Sequence, residues 1–415
     1  MLTKVVAVCV AIAVAGAISA CGGGSSTTSG SEASGGDVSI YSSLPLQGAS
    51  SAQTKPMVNG IKLALDQAHG KAGDYTVNYT SLDDSTAQAG EWDPGQTATD
   101  ARKAASDPNT VYYIGEFNSG ASEVSIPILN NAGIPQVSPA NTYVGLTTNE
   151  PGSAPGEPDK YYPTGTRTYL RIVPRDSIQA AADLMAMKDA GCSKVAVAND
   201  KEAYGAGLAD LLELEKDQFG VDITSNTGID PEAANFRSYA QQVKNEGADC
   251  FFFAGIVSNG GVQLTKDVHA AVPDAQHFGG DGVCTNTWTS AKEGGVPADI
   301  APLLQCTVAT LDLKSYPGGK QFLKAYADKY GESNPDPYAI YGYEAMKLGL
   351  DAIARSKTGE KADVIKALFS TKDRQSVLGT YSIDENGDTT LTDYGVYGIK
   401  DGQLTFDQTI KAQAG

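Results

Sequence analysis

Histidine is nearly missing from this 415-residue chain: His69, His269 and His277 are its three, far apart in sequence. None sits in a His-Glu-x-x-His frame, and no Gly-x-Ser-x-Gly occurs, so zinc- and serine-hydrolase chemistry has nothing to rest on. There is no Walker motif; Gly318-Gly319-Lys320 runs into Gln321 and lacks the frame. Gly205-Ala206-Gly207 starts like a dinucleotide fingerprint but meets Asp210 where glycine is required, and reads as a helix start. Asp384-Glu385-Asn386-Gly387-Asp388 looks calcium-like yet lacks the glycine and the final glutamate of such a loop, and reads as a turn. No Cys-x-x-Cys appears, which removes redox and zinc-knuckle readings. Positive charge is short as well. Against 31 Lys plus Arg stand 49 Asp plus Glu, a net charge of −18, the reverse of a nucleic-acid-binding face. These absences lead to the expectation of a protein that is not an enzyme and needs no cofactor or metal.

What is present is a globular composition, 41% hydrophobic and 19% charged, long enough for two or three domains. One long apolar run exists, at the very start. Lys4 gives a positive n-region and Val5 to Ile18 an apolar stretch too short for a comfortable membrane span. It ends in Ile18-Ser19-Ala20-Cys21, which resembles the lipobox of bacterial lipoproteins, where cleavage precedes a cysteine that is then acylated. The alternative is an ordinary signal peptide whose Cys21 has no special role. Gly22 to Gly36, rich in Gly and Ser, reads as a flexible tether. The expectation is a signal peptide over 1–20, a lipidated Cys21 with its tether over 21–36, and an exported protein on the outer face of a bacterial cytoplasmic membrane or in the periplasm. The membrane is met through the lipid only. Cys192, Cys250, Cys284 and Cys306 remain, an even number in an oxidising setting. Of three possible pairings, Cys284–Cys306 with Cys192–Cys250 is favoured; four buried free thiols are the alternative.

Along the body, strands and helices alternate. Asp37 to Leu44, Tyr75 to Leu82, Thr110 to Phe117 and Ile134 to Ser138 read as strands, with helices between them, the first carrying Val58, Ile61, Leu65 and Ala68 on one stripe. Asn141 to Thr168, with four prolines, reads as a long surface loop. The rhythm then restarts: Tyr169 to Val173, Lys194 to Asn199, Val221 to Ile229, Cys250 to Ala254 and Gln276 to Gly279 are strands with helices between. The tail adds helices over 321–330, 339–355 and 363–369. A hairpin is expected from Gly379 to Ile399 about Asn386-Gly387. The fold class is α/β, two doubly wound parallel sheets with a cleft between.

In such sheets, ligands bind beyond the carboxyl ends of the strands. Phe117-Asn118-Ser119-Gly120 opens a helix whose free N–H groups suit an anion, and Thr142 adds a second hydroxyl close by. Gly279-Gly280-Asp281-Gly282 puts a lone acid at a strand end of the other sheet. Ser119 and Thr142 serve equally as turn caps, and Asp281 as a solvated loop acid. Taken together, an anion cradle facing an acid fits a zwitterion.

Leu44-Pro45-Leu46-Gln47-Gly48, Asn59-Gly60-Ile61, Asp83-Asp84, Ile114-Gly115, Gly133-Ile134-Pro135, Asp200-Lys201 before Tyr204-Gly205, Asp281-Gly282-Val283 and Tyr341-Gly342-Tyr343-Glu344-Ala345 follow one another in this order. In that order they resemble the substrate-binding proteins of branched-chain amino-acid ABC transporters, type I periplasmic binding proteins of Leu/Ile/Val-binding type. The resemblance implies that Ser119, Ala140 and Thr142 hold a ligand carboxylate, Asp281 its ammonium, and that Tyr204 closes over it. Gln53 and Ile256 stand where aromatics commonly line the side-chain pocket. Crossovers are implied near Arg171 to Pro174, Thr307 to Ala309 and Val377 to Gly379, giving one lobe of 37–171 plus 308–377 and another of 172–307 plus 378–415. The implied partners are a small amino acid, an ABC permease and its ATPase, with the receptor a monomer. The alternative is an amide, urea or small organic-acid binder of the same fold, for uptake or sensing.

Overall fold

The computed structural model of the chain describes residues 35–400 and 402–413. The expected signal peptide, Cys21 and most of the tether lie outside them. No helix among the described residues is long and apolar enough to cross a membrane.

The first sheet is built from β1 (Asp37–Ser43), β2 (Lys71–Ala72), β3 (Tyr75–Leu82), β6 (Thr110–Ile114), β7 (Gln136–Ser138) and β8 (Tyr169–Arg171), after a small separate pair, β4 (Ser85–Thr86) with β5 (Glu91–Trp92). The order is β2-β3-β1-β6-β7-β8, parallel except for β2. The crossover helices are α1 (Ser51–Gln67), α2 (Pro94–Ser106) and α3 (Ser119–Asn131). β6 is TVYYI with every residue buried, the continuous apolar run of a strand covered on both faces. α2 starts where its sequence says it should: the Asp93 carboxylate accepts from Gln96 N at 2.8 Å, and Pro94 fills the first position.

The second sheet takes β9 (Lys194–Asn199), β10 (Asp222–Gly228), β11 (Cys250–Ala254), β12 (Gln276–Gly279) and β13 (Leu304–Val308) in parallel, order β10-β9-β11-β12-β13. Its helices are α4 (Asp176–Asp189), α5 (Ala203–Phe219), α6 (Arg237–Glu246), α7 (Val262–Ala271) and the short α8 (Asn286–Thr289). Cys192 is joined to Cys250 and Cys284 to Cys306, with Cα separations of 5.8 and 5.5 Å.

The tail returns to both sheets. α9 (Gly319–Tyr330), α10 (Tyr338–Ser356) and α11 (Lys361–Phe369) cover the first, and α10 lies along α1 so closely that the backbones touch. A Cβ on Gly60 would fall 2.0 Å from Ala339 O, and one on Gly342 would fall 2.2 Å from Met57 O. This is why glycine follows Asn59 and Tyr341.

Two expectations are corrected. The segment 141–168 is not a surface loop: Tyr143, Val144, Leu146, Tyr161 and Tyr162 are buried and pack against Leu208 and Leu211 of α5. Its polar atoms are satisfied internally, with Glu157 accepting from the Tyr143 and Tyr161 hydroxyls at 2.6 Å each. The hairpin expected over 379–399 is cut down to a short one about its turn. The Asn386-Gly387 turn forms, with Asp384 N donating to Asp388 O at 2.9 Å, an antiparallel bridge between Ile383 and Thr389, and Thr390 N donating to Ser382 O at 3.0 Å; beyond these its flanks part. β15 (Gly379–Tyr381) pairs with β14 (Arg374–Ser376), while β16 (Asp393–Lys400) and β17 (Gln403–Lys411) extend the second sheet antiparallel beyond β13. β14 and β15 stay on α10, where Glu344 accepts from Arg374 Nε at 2.6 Å and Tyr381 OH at 2.9 Å. The third passage between sheets therefore lies after Tyr381, not at 377–379. The turn is also held from outside the hairpin. Asp388 accepts from Arg171 Nε at 2.6 Å, and Arg171 N donates to Gly387 O at 2.9 Å; Arg171 is fully buried where β8 leaves the first sheet. The crossover arginine and the tail turn are one structural unit.

Candidate functional site

The carboxyl ends of β6 and β7 face those of β9, β11 and β12. Between them lies a narrow cavity of about 30 Å³ lined by Phe117, Asn118, Ser119, Ala140 and Thr142 on one side and Glu202, Tyr204, Ile256, Asp281 and Gly282 on the other. Six of the seven residues singled out in the sequence meet here. Gln53 does not. It sits in the first turn of α1, 3% exposed, and lines a separate cavity of about 580 Å³ with Cys284, Asp312, Asp336 and Tyr397. Glu202 was not among the residues singled out from the sequence, nor was Tyr338, whose hydroxyl reaches Asp281 from α10.

On the first side, Asn118 precedes α3 without capping it by its side chain, so the first N–H groups of the helix are left for another acceptor. Ser119 Oγ accepts from Tyr143 N at 3.4 Å, which keeps its proton free to donate. Ala140 contributes differently from the expectation: its N–H is already given to Ser138 Oγ at 3.1 Å, so it is wall rather than donor. Thr142 O accepts from Asp176 N at 2.8 Å, which ties this rim to the start of α4.

On the second side the glycines around Asp281 are explained by close approach. A Cβ on Gly280 would lie 2.3 Å from Tyr204 Oη, and one on Gly282 would lie 2.4 Å from Gly255 O. Asp281 is 9% exposed, and its Oδ2 accepts from Tyr338 OH at 3.0 Å. Burial pushes its carboxyl above the usual range, opposed by hydrogen bonds from Tyr204, Tyr338 and Gln179. Asp176 and Asp183, both buried on α4, are pushed up chiefly by burial and further by Asp281. Asp200 is the organiser of this rim. Its carboxylate accepts from Ile256 N at 3.0 Å, Asn259 Nδ2 at 2.9 Å and Glu202 N at 3.1 Å, joining the end of β9 to the end of β11. That is the local reason for the Asp200-Lys201 pair ahead of Tyr204. Across the cleft, Ser258 Oγ donates to Glu91 Oε2 at 2.5 Å, a direct bond between the two sides.

The arrangement offers helix N–H groups and a hydroxyl opposite a buried acid, with no lysine or arginine in the lining. The periplasmic binding protein family model matches residues 38–403. The chain belongs to the periplasmic binding protein family. The Leu/Ile/Val-binding protein BraC3 of Rhizobium johnstonii is 26% identical over 378 residues, 89% of this chain and 93% of the relative. Among solved structures, the leucine-binding protein LivK of Thermotoga maritima superposes with a TM-score of 0.76 at 23% identity, covering 90% of this chain and 99% of that one. A solute-binding protein of Rhodopseudomonas palustris in complex with p-hydroxybenzoic acid gives 0.74 at 17% identity, covering 91% and 98%. The expected type I fold and the likeness to the Leu/Ile/Val-binding branch are thus borne out. The family is one of extracytoplasmic binding proteins, not of enzymes.

Proposed function

We propose that this periplasmic binding protein is the receptor of an ABC importer, that it closes on a small amino acid between its two lobes, and that it hands the ligand to a membrane permease. The observation that carries the reading is Asp281, buried in the cleft wall opposite Ser119 and the open end of α3. The ligand ammonium would pair with Asp281 in a region already loaded with Asp176 and Asp183. Its carboxylate would take the α3 N–H groups, the Ser119 hydroxyl and Thr142. Tyr204 and Ile256 form the covering wall. A 30 Å³ space is far below the several hundred Å³ of ordinary ligand pockets, so admission requires the lobes to part and recapture to bring them together. Relatives described as Leu/Ile/Val-binding support an amino acid over the other small solutes carried by this fold. Lipid attachment at Cys21 would keep the receptor beside its permease. Calorimetric screening against amino acids, carboxamides, urea and aromatic acids tests the reading: an amino acid should bind best, and exclusive binding of a neutral amide or a benzoate would replace it.

A further inference from the structure

We propose that Glu202 reads the side chain of the bound amino acid, so that the preferred ligand carries an N–H donor there, a carboxamide or an amine, rather than a hydrocarbon. This rests on the reading of the cleft as an amino-acid site. Glu202 is the residue immediately before α5 and lines the cavity together with Phe117, Asn118 and Ile256. Its Oε1 accepts from Asn259 Nδ2 at 3.1 Å, and Asn259 is itself shared with Asp200. Trp92, on β5 of the first lobe, faces the same carboxyl. Its indole lies over the start of α3, where a Cβ on Gly120 would come within 2.8 Å of the ring, and its N–H is directed at Glu202, where it favours the ionised carboxylate. The charged groups around Glu202 are Asp200 and Glu91, both acidic. Burial, Asp200 and Glu91 together lift the Glu202 carboxyl to about 7.

The charges on this part of the wall are therefore all negative, and the buried Asn118 Oδ1 beside Glu202 in the lining has no hydrogen-bond partner among the described residues. An alkyl side chain laid against it would strip water from a carboxyl and return nothing, whereas an N–H group would replace that water. A ligand carboxylate would add a further negative charge. A site with buried groups awaiting a donor discriminates strongly against analogues that lack it.

The test is calorimetry on the whole protein with two near-isosteric pairs, asparagine against leucine and glutamine against glutamate. Wild type should bind asparagine and glutamine at least about 10-fold more tightly than their partners, the step expected from one hydrogen bond of about 1.4 kcal/mol. Glu202→Leu should reverse the asparagine–leucine order, and the isosteric Glu202→Gln should narrow the glutamine–glutamate gap. Thermal unfolding of both variants confirms that they remain folded. Leucine binding to wild type as tightly as asparagine, or an unchanged ranking in the folded variants, overturns the role of Glu202 while leaving the amino-acid reading intact. Failure of every amino acid to bind overturns both.

Discussion

Replacing Asp281 with alanine isolates the charge on which the functional reading depends. The carboxylate is 9% exposed and its Oδ2 is bonded to Tyr338 OH at 3.0 Å, so a ligand ammonium beside it is almost fully desolvated when the lobes close. Removing one partner of a buried, hydrogen-bonded charge pair costs about 2–5 kcal/mol. At 1.4 kcal/mol per decade that is a loss of roughly 30- to 4,000-fold in affinity. The fold should survive, because the Asp281 loop is placed by Gly280 and Gly282 against Tyr204 and Gly255 rather than by the carboxylate. The structure adds a pH signature. Burial holds the Asp281 proton above its usual range, and an arriving ammonium would pull it off. Affinity should therefore rise with pH through the Asp281 titration of the free protein, and this dependence should vanish in Asp281→Asn. Titration calorimetry of wild type and both variants from pH 4 to 8 supplies the numbers. Near-equal affinity of Asp281→Ala and wild type, or a flat pH profile for wild type, would refute the reasoning and favour a neutral ligand.

Tyr338→Phe removes one hydroxyl from Asp281 and should weaken ligand binding by about 2- to 12-fold, the worth of an ordinary hydrogen bond of about 0.5–1.5 kcal/mol, as read by the same titration. Arg171→Met leaves the buried Asp388 only its longer pairing with Arg175 at 3.4 Å and should cost about 3 kcal/mol of stability by denaturant unfolding; Arg171→Met with Asp388→Leu should recover part of it. Asp84 and Glu116 are buried carboxyls that share one site; burial pushes Asp84 from 3.8 up to about 8, and burial with the Asp84 charge pushes Glu116 well up. The folded chain keeps a proton there that the unfolded chain loses above 3.8, so stability should fall as pH rises from about 4 to about 8. Asp84→Asn should flatten that decline in a thermal-unfolding series; a wild type equally stable across the range argues against it. Cys21→Ser should move the protein from the membrane fraction to the soluble one, and retention after a salt wash contradicts lipid attachment.

Much of this was legible in the sequence because the signals are local. The apolar runs of β6 and β11 give buried parallel strands, and Ser119 and Asp281 stand at strand ends where the fold brings ligands. The tail was harder. β13, β16 and β17 gain their places by pairing with strands distant in the chain, and nothing near Asn386-Gly387 tells that Asp388 answers to Arg171. Tyr338 and Glu202 escaped for a related reason: each is placed in the cleft by a long-range contact, α10 against α1 or Asp200 against the end of β11. Gln53 was misplaced by position in the family pattern, since the first turn of α1 faces the cavity beside Cys284 and not the one beside Asp281. The glycines at 60, 342, 280 and 282 were visible as letters, but their reason is a backbone or a hydroxyl arriving from elsewhere.

The late return of the tail to both sheets sets the order in which the chain is able to fold. α1 is covered only once α10, beginning at residue 338, has been made, and the second sheet is not finished until β16 and β17 follow. The Arg171–Asp388 bond closes a loop of 217 residues. Such long-range closures make for slow folding, since loop entropy is spent before the contacts repay it. A chain ending near residue 330 should therefore yield two incomplete lobes rather than one finished lobe, with the apolar face of α1 bare. A core whose last pieces lie at the carboxyl end keeps both lobes open until the chain is nearly complete.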